Sequence, residues 1–244
     1  MSAQAVITLD IDWAPDYAID FAAGLLIEAQ VRATWFVTHD SPAVRRLRQH
    51  PHLFELGIHP NFLPGTTHGK TESEILSHCM EFAPQARVMR THGLVQTSNL
   101  LEKIIDETPI SVDVSLFLPH AAALEPVVYY WENGKRLVRL PYMWEDDFEM
   151  VRPDGIWDLA RMIDRGTGLM IMDFHPIHVF LNSLTLATYR SVRAQGRLAD
   201  LSEEFVRRHI AIELGAGYAF RSAIERMQGR DMVFLHSFSE KGAI

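Results

Sequence analysis

The chain has one cysteine in 244 residues, Cys79, so an internal disulfide is impossible and a cysteine-rich zinc site is excluded. It has no excess of positive charge. The 23 Lys and Arg face 31 Asp and Glu, a formal net charge of −8, and this argues against nucleic acid as a partner, because phosphate neutralisation needs clustered cations. The densest basic cluster, Arg45, Arg46 and Arg48, is broken by Leu47 and reads as a solvated helix face. No uninterrupted apolar run approaches the ~18 residues of a membrane span; the best candidate, Ala18 to Ile27, contains Asp20. The start, Met1-Ser2-Ala3-Gln4, lacks the positive charge of a secretory leader, so a cytoplasmic location is expected. No repeat, low-complexity tract or Pro/Gly/Ser linker divides the chain, so residues 1–244 are read as a single domain. What is present is ample apolar material, 48% of residues, and twelve histidines that direct any metal chemistry toward imidazole and carboxylate ligands.

Short apolar runs recur, and nearly every one ends in an ionisable residue. Ala5 to Leu9 leads into Asp10 and Asp12, Ala33 to Val37 into His39 and Asp40, and Leu53 to Ile58 into His59. Ala86 to Met89 leads into Arg90 and His92, Ile110 to Val112 into Asp113, and Leu137 to Leu140 into Tyr142 and Glu145. Leu169 to Met172 leads into Asp173 and His175, and Met232 to Leu235 into His236. Runs this short and this rich in β-branched and aromatic residues are expected of buried parallel strands. Helical patterns separate them at 16–30, 42–50, 72–82, 98–107 and 156–165. Alternation of this kind predicts an α/β fold, and polar chemistry gathered after the strands favours a (β/α) barrel over a doubly wound sheet. Residues 184–227 read as mostly helical and packed outside.

Asp10 and Asp12 lie two apart at a strand end, so both can face one side and divide the work of metal ligand and proton acceptor; the plain alternative is that both solvate the strand end. His59 precedes Pro60, which takes the chain out of the sheet, and the loop 62–69 can return His68 to its side. His175, also followed by a proline, can protonate a departing amine, or with His178 simply cap the barrel rim. Arg90 can hold a carboxylate. The segment Pro141 to Asp147, with Tyr142 and Trp144, suits either a sugar-lining face or a solvated loop. His236 is expected in a terminal strand, and His209 on an exposed helix position.

These segments resemble the polysaccharide deacetylase superfamily. Thr8-Leu9-Asp10-Ile11-Asp12 is similar to its first motif, and Arg32-Ala33-Thr34-Trp35-Phe36-Val37 to its Ala-Thr-Phe-Phe-Val strand. Glu55-Leu56-Gly57-Ile58-His59 resembles the start of its metal-binding histidine motif, Arg90-Thr91-His92-Gly93 its Arg-Pro-Pro-Tyr-Gly, and Phe174-His175-Pro176 its Leu-His-Pro. The resemblance implies a distorted (β/α) barrel of about seven strands. It implies Asp10 as general base tuned by Arg90, and Asp12 and His59 as ligands of one divalent ion, with zinc expected and cobalt, nickel or manganese as alternatives. It also implies His175 as general acid, Asp113 as its partner, and backbone amides near Gly93 at the oxyanion. The family spacing H-x-x-x-H would put its second histidine at Leu63, so His68 is taken as the replacement ligand; His92 is a rival ligand or a substrate contact, as Tyr142, Trp144 and His178 are substrate candidates. The departures resemble a branch associated with O-antigen clusters. The implied reaction is hydrolysis of an N-acetyl or other N-acyl group on a nucleotide- or lipid-linked sugar. A metal-dependent deformylase or small-amide hydrolase, or a non-catalytic carbohydrate-binding barrel, is the alternative.

Overall fold

Ala33-Thr34-Trp35-Phe36-Val37 is buried at every position, as a parallel strand covered on both faces must be. The computed structural model describes residues 4–240. In chain order it begins with β1 (Gln4–Asp10), α1 (Asp16–Ala29), β2 (Ala33–Val37), α2 (Pro42–Leu47), β3 (Phe54–Ile58), α3 (Glu72–Phe82), β4 (Val88–Met89) and α4 (Ser98–Glu107). There follow β5 (Val112–Phe117), β6 (Val127–Tyr130), β7 (Arg136–Tyr142), β8 (Trp144–Glu145), α5 (Asp146–Val151), α6 (Leu159–Arg165) and β9 (Leu169–Phe174). The remainder is α7 (Pro176–Leu181), α8 (Leu186–Arg193), α9 (Glu203–Arg207), α10 (Ala216–Met227) and α11 (Ser237–Glu240).

Local chemistry sets the helix starts. Ser41 accepts the Val44 N–H just ahead of Pro42, whose missing donor is harmless in a first turn. Thr71 and Glu74 form a reciprocal capping box on α3, and Thr97 accepts the Leu100 N–H of α4.

The strand order is β6-β7-β5-β4-β3-β2-β1-β9-β8. All neighbours pair in parallel except β6 with β7, an antiparallel hairpin. β7 and β8 are parts of one extended stretch: 136–142 pairs with β5, Met143 N–H bonds Ile171 O at 3.0 Å, and Trp144–Glu145 pairs with β9. Counting that stretch once, the parallel strands number seven: β1, β2, β3, β4, β5, β7–β8 and β9. Side chains alternate along β1, so Ile7 and Leu9 pack in the core while Thr8 and Asp10 turn to the inner face, where Arg90 meets both. The inner space is tight at Gly57, where a Cβ would come within 2.8 Å of Phe36 and 2.7 Å of Val88.

Two expectations need correction. Residues 232–235 are not a strand; they run as coil, and Leu235 N–H, His236 N–H and His236 Nδ1 bond the Glu55 carboxylate at 2.8, 3.0 and 2.6 Å. An apolar run needs a free sheet edge to become a strand, and β3 already has β2 and β4 on its two sides. The segment 141–147 is neither an open loop nor a sugar face. Tyr142 and Trp144 are fully buried; the Trp144 indole N–H donates to Ile156 O at 2.8 Å, and the Tyr142 ring packs on Arg90. In the 184–227 region, α10 packs against α1, α6 and α7. Among the described residues no helix is long and apolar enough to cross a membrane.

Candidate active site

The ends of β1, β3 and β4 converge on one cluster. After Asp10 the chain turns through two consecutive non-glycine residues with positive φ, Asp12 (39°) and Trp13 (53°), and this swings the Asp12 carboxylate toward β3. His59 extends β3 by one bond, its N–H reaching Val37 O at 3.0 Å, before Pro60 ends the ladder. Beyond Arg90 the backbone folds back sharply, with φ of 62° at Gly93 and 55° at Leu94, and His92 N–H bonds Pro60 O at 3.0 Å. The result is a triangle of ligand-type atoms. Asp12 Oδ1 lies 3.2 Å from His59 Nε2 and 3.0 Å from His92 Nδ1, and the two nitrogens are 3.3 Å apart. A tetrahedral ion with bonds of ~2.0–2.1 Å has ligand–ligand edges of about 3.3 Å, so this carboxylate-and-two-imidazole set fits one zinc-like divalent ion.

The cluster is electrostatically poised for a cation. Burial alone would raise the Asp12 carboxyl, but hydrogen bonds to His59 and His92 outweigh it and hold it well below the usual carboxylate range. Burial would lower His59, yet the charges of Asp10 and Asp12 raise it instead. Three groups of the cluster thus crowd the single His59 Nε2, which has one proton at most to share, while its Nδ1 is buried with no partner among the described residues. A cation relieves that crowding better than a proton does.

His68 lies outside this group. Its Nδ1 accepts the Asn61 N–H at 3.2 Å and sits 3.4 Å from Cys79 Sγ. An accepting Nδ1 fixes the proton on Nε2, which then has no lone pair for a metal. Burial pushes His68 down to about 4. The loop 62–69 does return as expected, but the Trp13 ring packs against both His68 (5.4 Å) and His92 (5.3 Å), and it is His92 that meets Asp12. Leu63, where the family's second histidine would stand, instead packs near Gly93, beside His92.

Asp10 presents one oxygen to the cluster, Oδ2 being 3.5 Å from His59 Nε2. Its other oxygen accepts from Arg90 Nη1 at 2.9 Å. Arg90 uses four of its five N–H donors: Nη1 also bonds Asp173, Nη2 donates to Thr8 Oγ1 at 3.0 Å, and Nε donates to Val114 O at 3.1 Å. Its guanidinium is sandwiched between Phe36 and Tyr142, 4.7 and 4.3 Å from the ring centres. Asp173 was not foreseen as a partner of Arg90. The signal was there, a carboxylate inside the apolar run 169–174. Burial pushes Asp173 up to about 8, against the pull of Arg90 and with the help of Asp10.

Opposite stands His175, its Nε2 3.7 Å from Asp12 Oδ2. Its partner is Asp146, not Asp113: Nδ1 lies 2.7 Å from Asp146 Oδ1, and the His175 backbone N–H donates to Oδ2 at 2.9 Å. Asp113 is occupied elsewhere, by Arg139 Nε at 2.7 Å and the Ser115 hydroxyl at 2.6 Å, because register pairs it with Arg139 on β7. Burial would depress His175, but the Asp146 charge and hydrogen bond hold it well above the usual imidazole range. Glu145 and Asp147 gather beside His175, with ligand-type atoms of the three within 4.8 Å of one another; burial raises both carboxyls, Glu145 further by the charge of Asp147. His178 sits behind His175, ring centres 5.7 Å apart, with its Nδ1 3.3 Å from Ser183 Oγ, and burial pushes it down to about 4.

The cluster can therefore hold a divalent cation between a fixed carboxylate, Asp10 on Arg90, and a fixed imidazole, His175 on Asp146. A family model, WbmS-like polysaccharide deacetylase, matches residues 7–193. Among solved structures the chain is similar to a polysaccharide deacetylase involved in O-antigen biosynthesis from Bordetella bronchiseptica. That match has 32% identity over 91% of this chain and 90% of the other, with a TM-score of 0.78. It is similar in fold alone to the 4-α-glucanotransferase of Thermococcus litoralis, at 8% identity over 99% of this chain but 38% of the other, with a TM-score of 0.53. No curated protein matches the chain. The seven parallel strands thus form the distorted (β/α) barrel fold of the deacetylases, and with a family match spanning residues 7–193 the chain belongs to the WbmS-like polysaccharide deacetylases.

Proposed function

We propose that the protein is a divalent-metal-dependent hydrolase that removes an N-acetyl or similar N-acyl group from a sugar intermediate of surface-polysaccharide synthesis. The nucleotide- or lipid-linked form of that sugar is part of the proposal. The observation that carries it is the triangle Asp12, His59 and His92, set between Asp10 on Arg90 and His175 on Asp146. A bound ion would supply Lewis acidity toward the acyl carbonyl and the attacking water.

The remaining work falls to the chain's own residues. Asp10 Oδ2 faces the cluster and accepts the proton of the attacking water, while the hydrogen bond from Arg90 keeps the carboxylate aimed. His175 Nε2–H donates a proton to the departing nitrogen as the C–N bond breaks, giving free acid and amine. Asp146 fixes the ring orientation and keeps the second nitrogen protonated, so that the reactive proton sits on Nε2.

Acetate release from a panel of N-acetyl and N-formyl sugars and simple amides, with the metal content of the same preparations, tests this reading. Turnover that falls by about 10²-fold or more in Asp10→Asn without loss of metal supports it; full activity in that variant rules out the role given to Asp10. Preference for formyl sugars or simple amides would instead select the deformylase or small-amide reading. A second expectation concerns pH. Asp146→Asn removes the charge that raises His175, so the alkaline limb of the rate profile moves to lower pH and kcat falls by about 10²-fold or more. A limb that stays in place argues against His175 as the acid.

A further inference from the structure

Trp13 is used by none of these steps, yet its place in the fold is costly to keep. Its φ of 53° lies in the left-handed region, which non-glycine residues seldom adopt and bulky ones adopt only under strain. Asp12 shares that strain, and its carboxylate position accounts for it. For Trp13 the backbone offers no such reason: its N–H donates to Thr38 Oγ1 at 3.2 Å, which glycine or asparagine would do with less strain. The indole itself is therefore what the site retains.

That indole is half-buried, whereas Trp35, Trp144 and Trp157 are buried in the core. It stands edge to face with His92 at 5.3 Å, so it borders the proposed metal cluster directly. Its Nε1–H has no hydrogen-bond partner among the described residues and is free to donate to something outside the chain. Leu63, 40% exposed, lies by Gly93 next to His92 and makes the rim beside the cluster apolar. A flat aromatic face, a free donor and an apolar neighbour beside a polar reacting centre suit a pyranose, whose rings carry an apolar C–H face and hydroxyls at the edge.

We propose that Trp13 is the sugar platform of the site, carrying the C–H face of the N-acylated pyranose on its indole with Nε1–H donated to an oxygen of the substrate. This rests on the deacetylase reading and specifies where its substrate lies. The glycosidic linkage or carrier then points away from the ion cluster, over the rim formed by Trp13 and Leu63.

The test is binding and turnover by metal-loaded wild type, Trp13→Phe and Trp13→Ala. N-acetylglucosamine, N-acetylgalactosamine, N-acetylmannosamine and UDP-N-acetylglucosamine serve as probes, followed by isothermal titration calorimetry and by acetate release. Metal content is measured in each. The expected result is a Kd and KM raised about tenfold or more in Trp13→Ala, the scale of truncating a central aromatic contact. Trp13→Phe recovers most of this, kcat stays within about threefold, and metal content is unchanged. Sugar binding that weakens in this way without any turnover in wild type keeps the platform and overturns the hydrolase reading. Turnover by wild type with unchanged Kd and KM in Trp13→Ala overturns the platform and leaves the hydrolase. Absence of binding of all four probes to wild type overturns the platform as well.

Discussion

His92→Ala is expected to lose the bound divalent ion and at least about 10³-fold in deacetylation, whereas His68→Gln keeps the ion and most of the activity. Even residues that only support a ligand typically cost 10–100-fold in metal affinity when changed, so loss of a direct ligand costs more. The contrast comes from the lone pairs. His92 Nδ1 points at Asp12 Oδ1 and stands 3.3 Å from His59 Nε2, an edge of the ligand triangle. His68 Nδ1 is taken by the Asn61 N–H, so its remaining nitrogen carries the proton. Glutamine at 68 can still accept from Asn61, and the expected price is a modest loss of stability, about 1–3 kcal/mol, from an imperfectly filled buried position. Equilibrium dialysis with elemental analysis reads the first difference and urea denaturation the second. Equal metal loss in both variants would contradict the assignment of His92.

Arg90→Ala is expected to be the most destabilising single substitution in the chain's interior, by about 3–5 kcal/mol, a large part of a typical stability of ~5–15 kcal/mol. It strips the counter-charge from the buried Asp10 carboxylate and a hydrogen-bond donor from Asp173, and leaves the Val114 carbonyl and Thr8 hydroxyl without their donor. Arg90→Lys does not restore it, because one ammonium cannot make four bonds in a plane between Phe36 and Tyr142. The pH dependence has a definite sign. Burial first, opposed by Arg90, puts Asp173 at about 8 in the folded protein, against ~4 in an unfolded chain. Between those values the folded state binds the extra proton, so its stability falls as pH rises from about 4 to about 8. Removing Arg90 takes away the interaction that favours the ionised form, so the decline extends further up in pH. Urea midpoints across that range measure it; a variant that grows more stable with rising pH contradicts this account.

Much of the scaffold was legible from residue patterns. The windows 72–82 and 98–107 match α3 and α4, because Thr71 and Thr97 are cap residues ahead of amphipathic runs. Asp10, Asp12, His59, Arg90 and His175 meet at one end of the strands, as polar residues after buried parallel runs should. The β6–β7 hairpin escaped notice although Asn133-Gly134, a strong turn pair, lies between two apolar runs; Gly134 takes φ of 79° there. Residues 232–235 misled because an apolar run states a need for burial without naming the partner, which here is coil packed around Glu55. The placing of His92 rather than His68 beside Asp12, and of Asp146 rather than Asp113 on His175, has one cause. Each depends on which loop reaches the centre, a matter of backbone turns at Gly93 and Leu94 and of a bulged β5 register, neither written in residue spacing.

The most direct test is an anomalous difference map, at the metal edge, from crystals of the zinc-loaded protein. The account predicts one peak about 2.0–2.2 Å from Asp12 Oδ1, His59 Nε2 and His92 Nδ1, with Asp10 and His175 beyond bonding distance. A peak bonded to His68, or centred on Asp10, Asp173 and His175 instead, contradicts it.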